Sequence, residues 1–127
     1  METVIHLDTH AVVWLYANEL ARFSPQGIQC LEADELLISP IVMLELEYLH
    51  ETGRILVTAH KVCDFLKRAT GLRVCDHTFT DVIRLSLKNT WTRDPFDRII
   101  AAQAELAEGR LLTKDSAILK HCKRAFW

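Results

Sequence analysis

Paired metal-binding cysteines are the first thing this sequence lacks. Cys30, Cys63, Cys75 and Cys122 stand far apart, with no C-x-x-C and no Cys/His pair at zinc-finger spacing, which excludes a structural zinc site. A disulfide framework belongs to smaller secreted chains, so these read as reduced core thiols. None of the six histidines pairs with another at i,i+4 within one predicted helix, which removes the usual imidazole metal site. No apolar run approaches the roughly 18 residues of a membrane span. The N-terminal stretch Met1-Glu2-Thr3-Val4-Ile5-His6 has no basic n-region, so a soluble, cytoplasmic protein without a membrane is expected. Linkers, repeats and low-complexity segments are also missing. Half of the 127 residues are hydrophobic and a quarter charged, a globular composition that leaves room for one domain over residues 1–127 and no second core.

Excess positive charge is absent too: the net charge is -2, which argues against a surface coated for nucleic-acid binding. The distribution is uneven, however. Residues 1–60 carry nine acids and only Arg22 and Arg54 as bases, whereas residues 61–127 carry eight acids and thirteen bases. The second half would supply a local phosphate-binding surface or simply a solvated charged face.

What the sequence does hold is an alternation of short apolar runs and longer helical patterns. Val4 to Leu7 reads as a strand, followed by a helix in which Ala11, Val12, Leu15 and Tyr16 recur at helical spacing. Ser24-Pro25 is an N-cap with proline at the first helical position, opening a helix to about Ala33. Leu36 to Ser39, Leu72 to Cys75 and Leu111 to Thr113 are the remaining strand candidates. Helices are expected from Pro40 to Glu51, Thr58 to Ala69, Phe79 to Lys88, Pro95 to Glu108 and Ser116 to Cys122, with Gly53, Gly71 and Gly109 as stops. This is an α/β pattern with a mostly parallel central sheet and helices on both faces. In such sheets ligands bind beyond the carboxyl ends of the strands, at a topological switch point. Asp8, Asp76 and Lys114-Asp115 therefore become the positions of interest.

Four carboxylates stand out. On the helix from Pro40, the residues Glu47, His50, Glu51 and Arg54 mark a solvent face, and at about 100° per residue Glu45 points roughly 160° away from Glu47. An acid on that apolar side needs a cation or a hydrogen-bond partner, or else a rim position, because desolvating a charge is costly. Asp97 sits in the first turn of a helix of small apolar residues, with Asp94 as N-cap and Pro95 at N1; it either serves the helix dipole or the site. Asp8 and Asp115 each end a strand and would cap the next helix or reach a ligand. Together, three aspartates and an inward glutamate at one sheet edge repel one another unless a divalent cation compensates them. All-oxygen ligands select Mg²⁺, with Mn²⁺ as a substitute.

Four segments carry a resemblance: Val4-Ile5-His6-Leu7-Asp8-Thr9-His10, Ser39-Pro40-Ile41-Val42-Met43-Leu44-Glu45-Leu46, Arg93-Asp94-Pro95-Phe96-Asp97-Arg98-Ile99-Ile100-Ala101-Ala102-Gln103-Ala104 and Leu111-Leu112-Thr113-Lys114-Asp115. In order and spacing they resemble the successive motifs of the PIN domain. The length resembles that of the VapC toxins of type II toxin-antitoxin pairs. The resemblance implies a PIN-like fold and a metal-dependent endoribonuclease that hydrolyses RNA through a metal-activated water. Asp8 and Asp97 would be the primary ligands, Glu45 and Asp115 would complete the set, and Asp94, Thr9 and Thr113 would support it. It also implies a homodimer held inactive by a cognate VapB-like antitoxin. RNA would meet Arg93, Arg98, Lys114, Lys120, Lys123 and Arg124, although the last three also suit a helix C-terminus. Trp14, Trp91 and Trp127 would stack bases or pack internally, with core burial favoured for Trp14.

Two rival readings remain. A receiver-like signalling domain would use Asp76 as phosphoacceptor and Thr113-Lys114 beside it, but Asp8 has no adjacent acid and two helices intervene before Leu72. A PIN-like module that binds partners without cutting RNA is opposed by the intact acidic set.

Overall fold

The computed structural model describes residues 3–127; Met1 and Glu2, which open the N-terminal stretch read above, lie outside the described residues. The chain runs β1 (Val4–Leu7), α1 (Thr9–Tyr16), a 3-10 turn at Leu20–Arg22, α2 (Pro25–Ala33), β2 (Glu35–Ile38), α3 (Pro40–Glu51), α4 (Ala59–Thr70), β3 (Arg73–Val74), α5 (Phe79–Ser86), α6 (Pro95–Leu106), β4 (Arg110–Leu112), α7 (Ser116–His121) and β5 (Ala125–Phe126). Each element expected from the sequence forms, within a few residues at its ends. The 3-10 turn and β5 are additions.

The five strands form one sheet in the order β3-β2-β1-β4-β5, with every described pairing parallel. β1 is the centre. Its Ile5 pairs with Leu36 on one side and Arg110 on the other, and Ile5, His6 and Leu7 are all buried, as a strand covered on both faces must be. The chain winds outward from β1 through β2 to β3, then returns to place β4 on the other side of β1. The switch point is thus between β1 and β4, and the crevice it creates opens past Leu7 and Leu112.

Local chemistry places the helix starts on that edge. Asp8, Ser39, Asp94 and Asp115 are the N-caps of α1, α3, α6 and α7, and proline occupies the first turn of α3 and α6. α3 packs against α1, α4 and α6, and α6 packs against β4. Ser39 Oγ donates to Gln103 Oε1 at 3.0 Å, tying the start of α3 to the body of α6. The core beneath is aliphatic, built from residues such as Leu36, Ile38, Val42, Leu46, Leu66, Ile100, Leu111 and Ile118. All four cysteines are free thiols. Burial pushes the thiols of Cys30, Cys63 and Cys75 up, the last to about 11, which keeps them unreactive. Among the described residues no helix is long and apolar enough to cross a membrane.

The solvent face expected on α3 needs one correction. Glu47 is half-buried and accepts the Ala59 amide at 3.0 Å, so it closes the start of α4. On the side taken as apolar, Leu44 and Tyr48 are exposed.

Candidate active site

Asp8 leaves β1 at the switch point and is 6% exposed. Its Oδ1 accepts the Thr9 amide at 2.7 Å and its Oδ2 the Thr113 hydroxyl at 2.6 Å. Thr113 Oγ1 in turn accepts the Asp115 amide at 3.0 Å, so one buried hydroxyl fixes two strand-end aspartates. Burial raises the Asp8 pKa, Asp115 raises it further, and the hydrogen bonds from Thr113 and Thr9 and the nearby His10 oppose the shift.

Glu45 does face inward. It is half-buried, and the hydroxyl of Thr9 donates to its carboxylate. Thr9, itself fully buried, therefore holds Asp8 by its backbone and Glu45 by its side chain. Burial raises the Glu45 pKa, with Asp8 and Asp94 adding to the shift while Thr9 and His10 reduce it.

Asp97 occupies the first turn of α6. Asp94 does the capping there, accepting the amides of Phe96 at 2.8 Å and Asp97 at 3.3 Å. Asp97 is left free to face the other acids, and its pKa is pushed up to about 7, first by burial and then by Asp94, Asp115, Asp8 and Glu45. Asp97 thus lies within electrostatic reach of the four other acids. Capping and site roles coincide rather than compete at Asp8 and Asp115: the latter accepts the Ile118 amide at 2.9 Å and also borders the crevice.

Among the described residues, no three of the His, Cys, Asp and Glu side chains stand together closely enough to hold a metal ion between them. A donor set of this kind suits Mg²⁺, which keeps several waters and takes only one or two carboxylates directly. The fit rests on the chemistry: oxygen donors alone, neighbouring anions, and an Asp97 whose proton is held first by burial and then by its neighbours' charge.

The basic residues divide. Lys114 is exposed and, with Asp8, His10, Trp14 and Asp115, lines a crevice of about 300 Å³. Arg93 is exposed in the loop leading into α6. Arg98 is committed elsewhere, donating from Nε to Thr92 O at 2.8 Å while its own carbonyl accepts from Asn89 at 3.1 Å; it braces the loop that carries Asp94. Lys120 is exposed in the last turn of α7. Lys123 and Arg124 precede β5, which runs parallel to β4, so they stand toward the amino ends of the strands, away from Asp8. They line a separate cavity of about 540 Å³ that also includes Lys88, Trp91, Glu105 and His121. Asp76 follows β3, an edge strand with β2 between it and β1, which removes it from the acidic group and leaves the receiver reading without a site.

Sequence reasoning overlooked His10 and placed Trp14 in the core. Trp14 is half-buried and borders the crevice, with its ring centroid 5.9 Å from that of His10. The signal was present, since the two residues are i,i+4 on α1 and share a face.

The PIN domain family model matches residues 5–124 of this chain. Ribonuclease VapC22 of Mycobacterium tuberculosis is 31% identical over 121 residues, covering 94% of this chain and 92% of that protein. Among solved structures, VapBC2 from Rickettsia felis bound to a DNA fragment from its promoter matches with a TM-score of 0.68 and 18% identity, over 98% of this chain and 96% of that one. DNA-bound VapBC from Salmonella typhimurium matches with a TM-score of 0.64 and 17% identity, over 98% and 96%. At that identity the two structures speak to the fold, and they agree with the sequence matches. The parallel sheet, the acids gathered at its β1/β4 switch point and a family match over nearly the whole length lead to one conclusion: the chain belongs to the PIN-domain family.

Proposed function

We propose that this chain is a single-domain, metal-dependent endoribonuclease, the toxin of a toxin-antitoxin pair. The observation that carries the reading is the approach of Asp8, Glu45, Asp97 and Asp115, drawn from four separate segments, with Asp97 raised to about 7 by burial and, after it, by the charge of the neighbouring acids. Proteins do not gather uncompensated anions at a sheet edge without cost, and perturbed acids in a cleft mark functional sites.

Asp8 and Asp97 would hold a divalent ion, Mg²⁺ or Mn²⁺, with Glu45 and Asp115 completing the set. When bound, the ion supplies charge compensation and Lewis-acid activation of water and phosphodiester. Thr113 and Thr9 hold the Asp8 carboxylate, and Thr9 holds Glu45, so both acids are oriented before substrate arrives. Glu45 or Asp115 orients the attacking water. Lys114 meets the phosphate at the crevice mouth, with Arg93 further out on the loop before α6.

The partner we assign is a VapB-like antitoxin, with a homodimer as the assembled form in the cytoplasm. The name of the M. tuberculosis relative and the titles of the structural relatives, which are VapBC complexes, support the antitoxin partner. So do two apolar grooves on the surface. One, of about 380 Å³, is bordered by Val13, Tyr16, Ile55 and the 92% exposed Leu56; the other, of about 330 Å³, by Ile41, Leu44 and Phe79.

The test is to incubate purified protein with varied RNAs and Mg²⁺ or Mn²⁺, beside Asp8→Asn and Asp97→Asn variants. Cleavage that EDTA and either substitution abolish is expected. Equal activity in the variants, or none in the wild type with any metal and RNA, would overturn the reading.

A further inference from the structure

Beside Asp8 and Asp115 the crevice has a wall that metal binding does not need. His10 and Trp14 form it from one face of α1, their rings tilted 42° to each other. Trp14 is fixed from behind: Phe23 meets it edge-on at 6.3 Å, Trp127 edge-on at 5.5 Å, and the Arg22 guanidinium lies 5.3 Å from the ring centroid. Trp127 is anchored in its turn, stacked on Phe23 at 4.8 Å and donating from Nε1 to Arg22 O at 3.1 Å. His10 is exposed, a π surface tilted against an indole that is packed by Phe23, Trp127 and Arg22. Lys114, next in sequence to Asp115, lines the same crevice, its ammonium 5.9 Å from the Trp127 ring.

An aromatic platform, one ammonium and an adjoining acidic centre match the parts of a single nucleotide: base, phosphate and the neighbouring scissile linkage. We propose that this crevice is a nucleotide subsite for single-stranded RNA, in which one unpaired base stacks on His10 against Trp14 and the adjoining phosphate meets Lys114. The subsite rests on the nuclease reading above, whose substrate it narrows. A duplex is excluded because its bases are already stacked on one another and unavailable to a protein ring. The volume of about 300 Å³ is at the small end for ligand pockets and fits one nucleotide, not two. The other cavities described above do not offer this combination beside the acids: the grooves at Leu56 and Phe79 are mainly apolar, and the basic cavity at Lys123 is lined by none of Asp8, Glu45, Asp97 and Asp115.

Binding, rather than cleavage, tests the subsite. Fluorescence anisotropy of an end-labelled oligoribonucleotide is recorded with the full chain in EDTA, so that a failure to cut RNA and a failure to bind it are read separately. His10→Ala, at an exposed position that folding tolerates, is expected to weaken binding about ten-fold, the loss of one base–aromatic stack. An oligomer with an abasic position there is expected to bind the wild type that much more weakly, and to show no further loss with His10→Ala. Lys114→Met is expected to reduce the slope of log affinity against log salt by about 0.7, one single-strand phosphate contact. Unchanged binding in His10→Ala, full competition by duplex RNA, or no binding at all would sink the proposal. Binding as described without cleavage in Mg²⁺ would sink the nuclease reading and leave the subsite standing.

Discussion

Asp8 and Thr113, 105 residues apart in the chain, are joined by a buried 2.6 Å hydrogen bond across the junction of β1 and β4. Because the same Thr113 oxygen accepts the Asp115 amide, Thr113→Val keeps the shape and removes both interactions. The buried Asp8 carboxylate then loses a donor and an amide loses its acceptor, a cost of about 2 kcal/mol. A fall in melting temperature on the order of 5–10 °C is expected in thermal unfolding. Mg²⁺ titration should show weaker binding than in the wild type, with Thr113→Ser restoring most of both. An unchanged Thr113→Val protein would mean that the bond does not hold the site.

Asp97→Asn should stabilise the metal-free protein. At pH 8 the substitution removes a charge that four other acids oppose; because Asp97 is partly solvent-screened the gain is on the order of 1 kcal/mol, a few degrees in melting temperature. Mg²⁺ should stabilise the wild type by binding the folded state, and in Asp97→Asn that response should be lost. Lower stability of the variant in EDTA would contradict the electrostatic account.

Proton linkage at Asp97 has a definite sign. The unfolded chain loses this proton near 3.8, the ordinary aspartate value, whereas the folded protein keeps it to about pH 7, so this group's contribution to stability declines as pH rises through that window. An ion must displace the same proton. Mg²⁺ affinity should therefore rise from pH 6 to 8, by up to roughly ten-fold per pH unit below 7, and then level off. Calorimetric titrations at several pH values, in two buffers of different ionisation enthalpy, would report the released proton.

His6 acts in the opposite direction. It is 2% exposed on β1, its Nε2 has no partner, and burial, with His77 adding to it, lowers its pKa from 6.5 to about 4. The unfolded chain takes up a proton that the folded chain refuses, so the stability present above pH 6.5 is lost as pH falls toward 4, by about 3 kcal/mol. Urea unfolding of Asp97→Asn across this range would isolate the effect, and His6→Leu in that background should flatten it.

Gly109 has no room for a methyl group. A Cβ there would lie 2.7 Å from His6 Cδ2 and 3.2 Å from the Val4 carbonyl, and neither the buried ring nor the central strand can retreat. Gly109→Ala should cost about 1–3 kcal/mol in chemical denaturation. Wild-type stability would show that β1 yields more readily than its burial implies.

Much of this was legible because it is periodic or local. The direction of Glu45 followed from helical rotation alone, and the strand-end aspartates were visible both as caps and as candidates because one position serves both purposes. What the sequence concealed depends on neighbours. β5 is two residues after Lys123-Arg124, and its strand character comes from pairing with β4, so the position of those two cations away from the acids was not readable either. Glu47 had the spacing of a surface residue, yet the start of α4 lies over it. Arg98 looked available for phosphate until Thr92 took its Nε.

The acids come from the ends of β1 and β4 and from α3 and α6, a span running from residue 8 to residue 115. No stretch of chain that stops short of Asp115 holds the whole set, and the site cannot assemble until β4 has taken its place beside β1. On the proposed nuclease reading, cutting therefore waits for the fold to close.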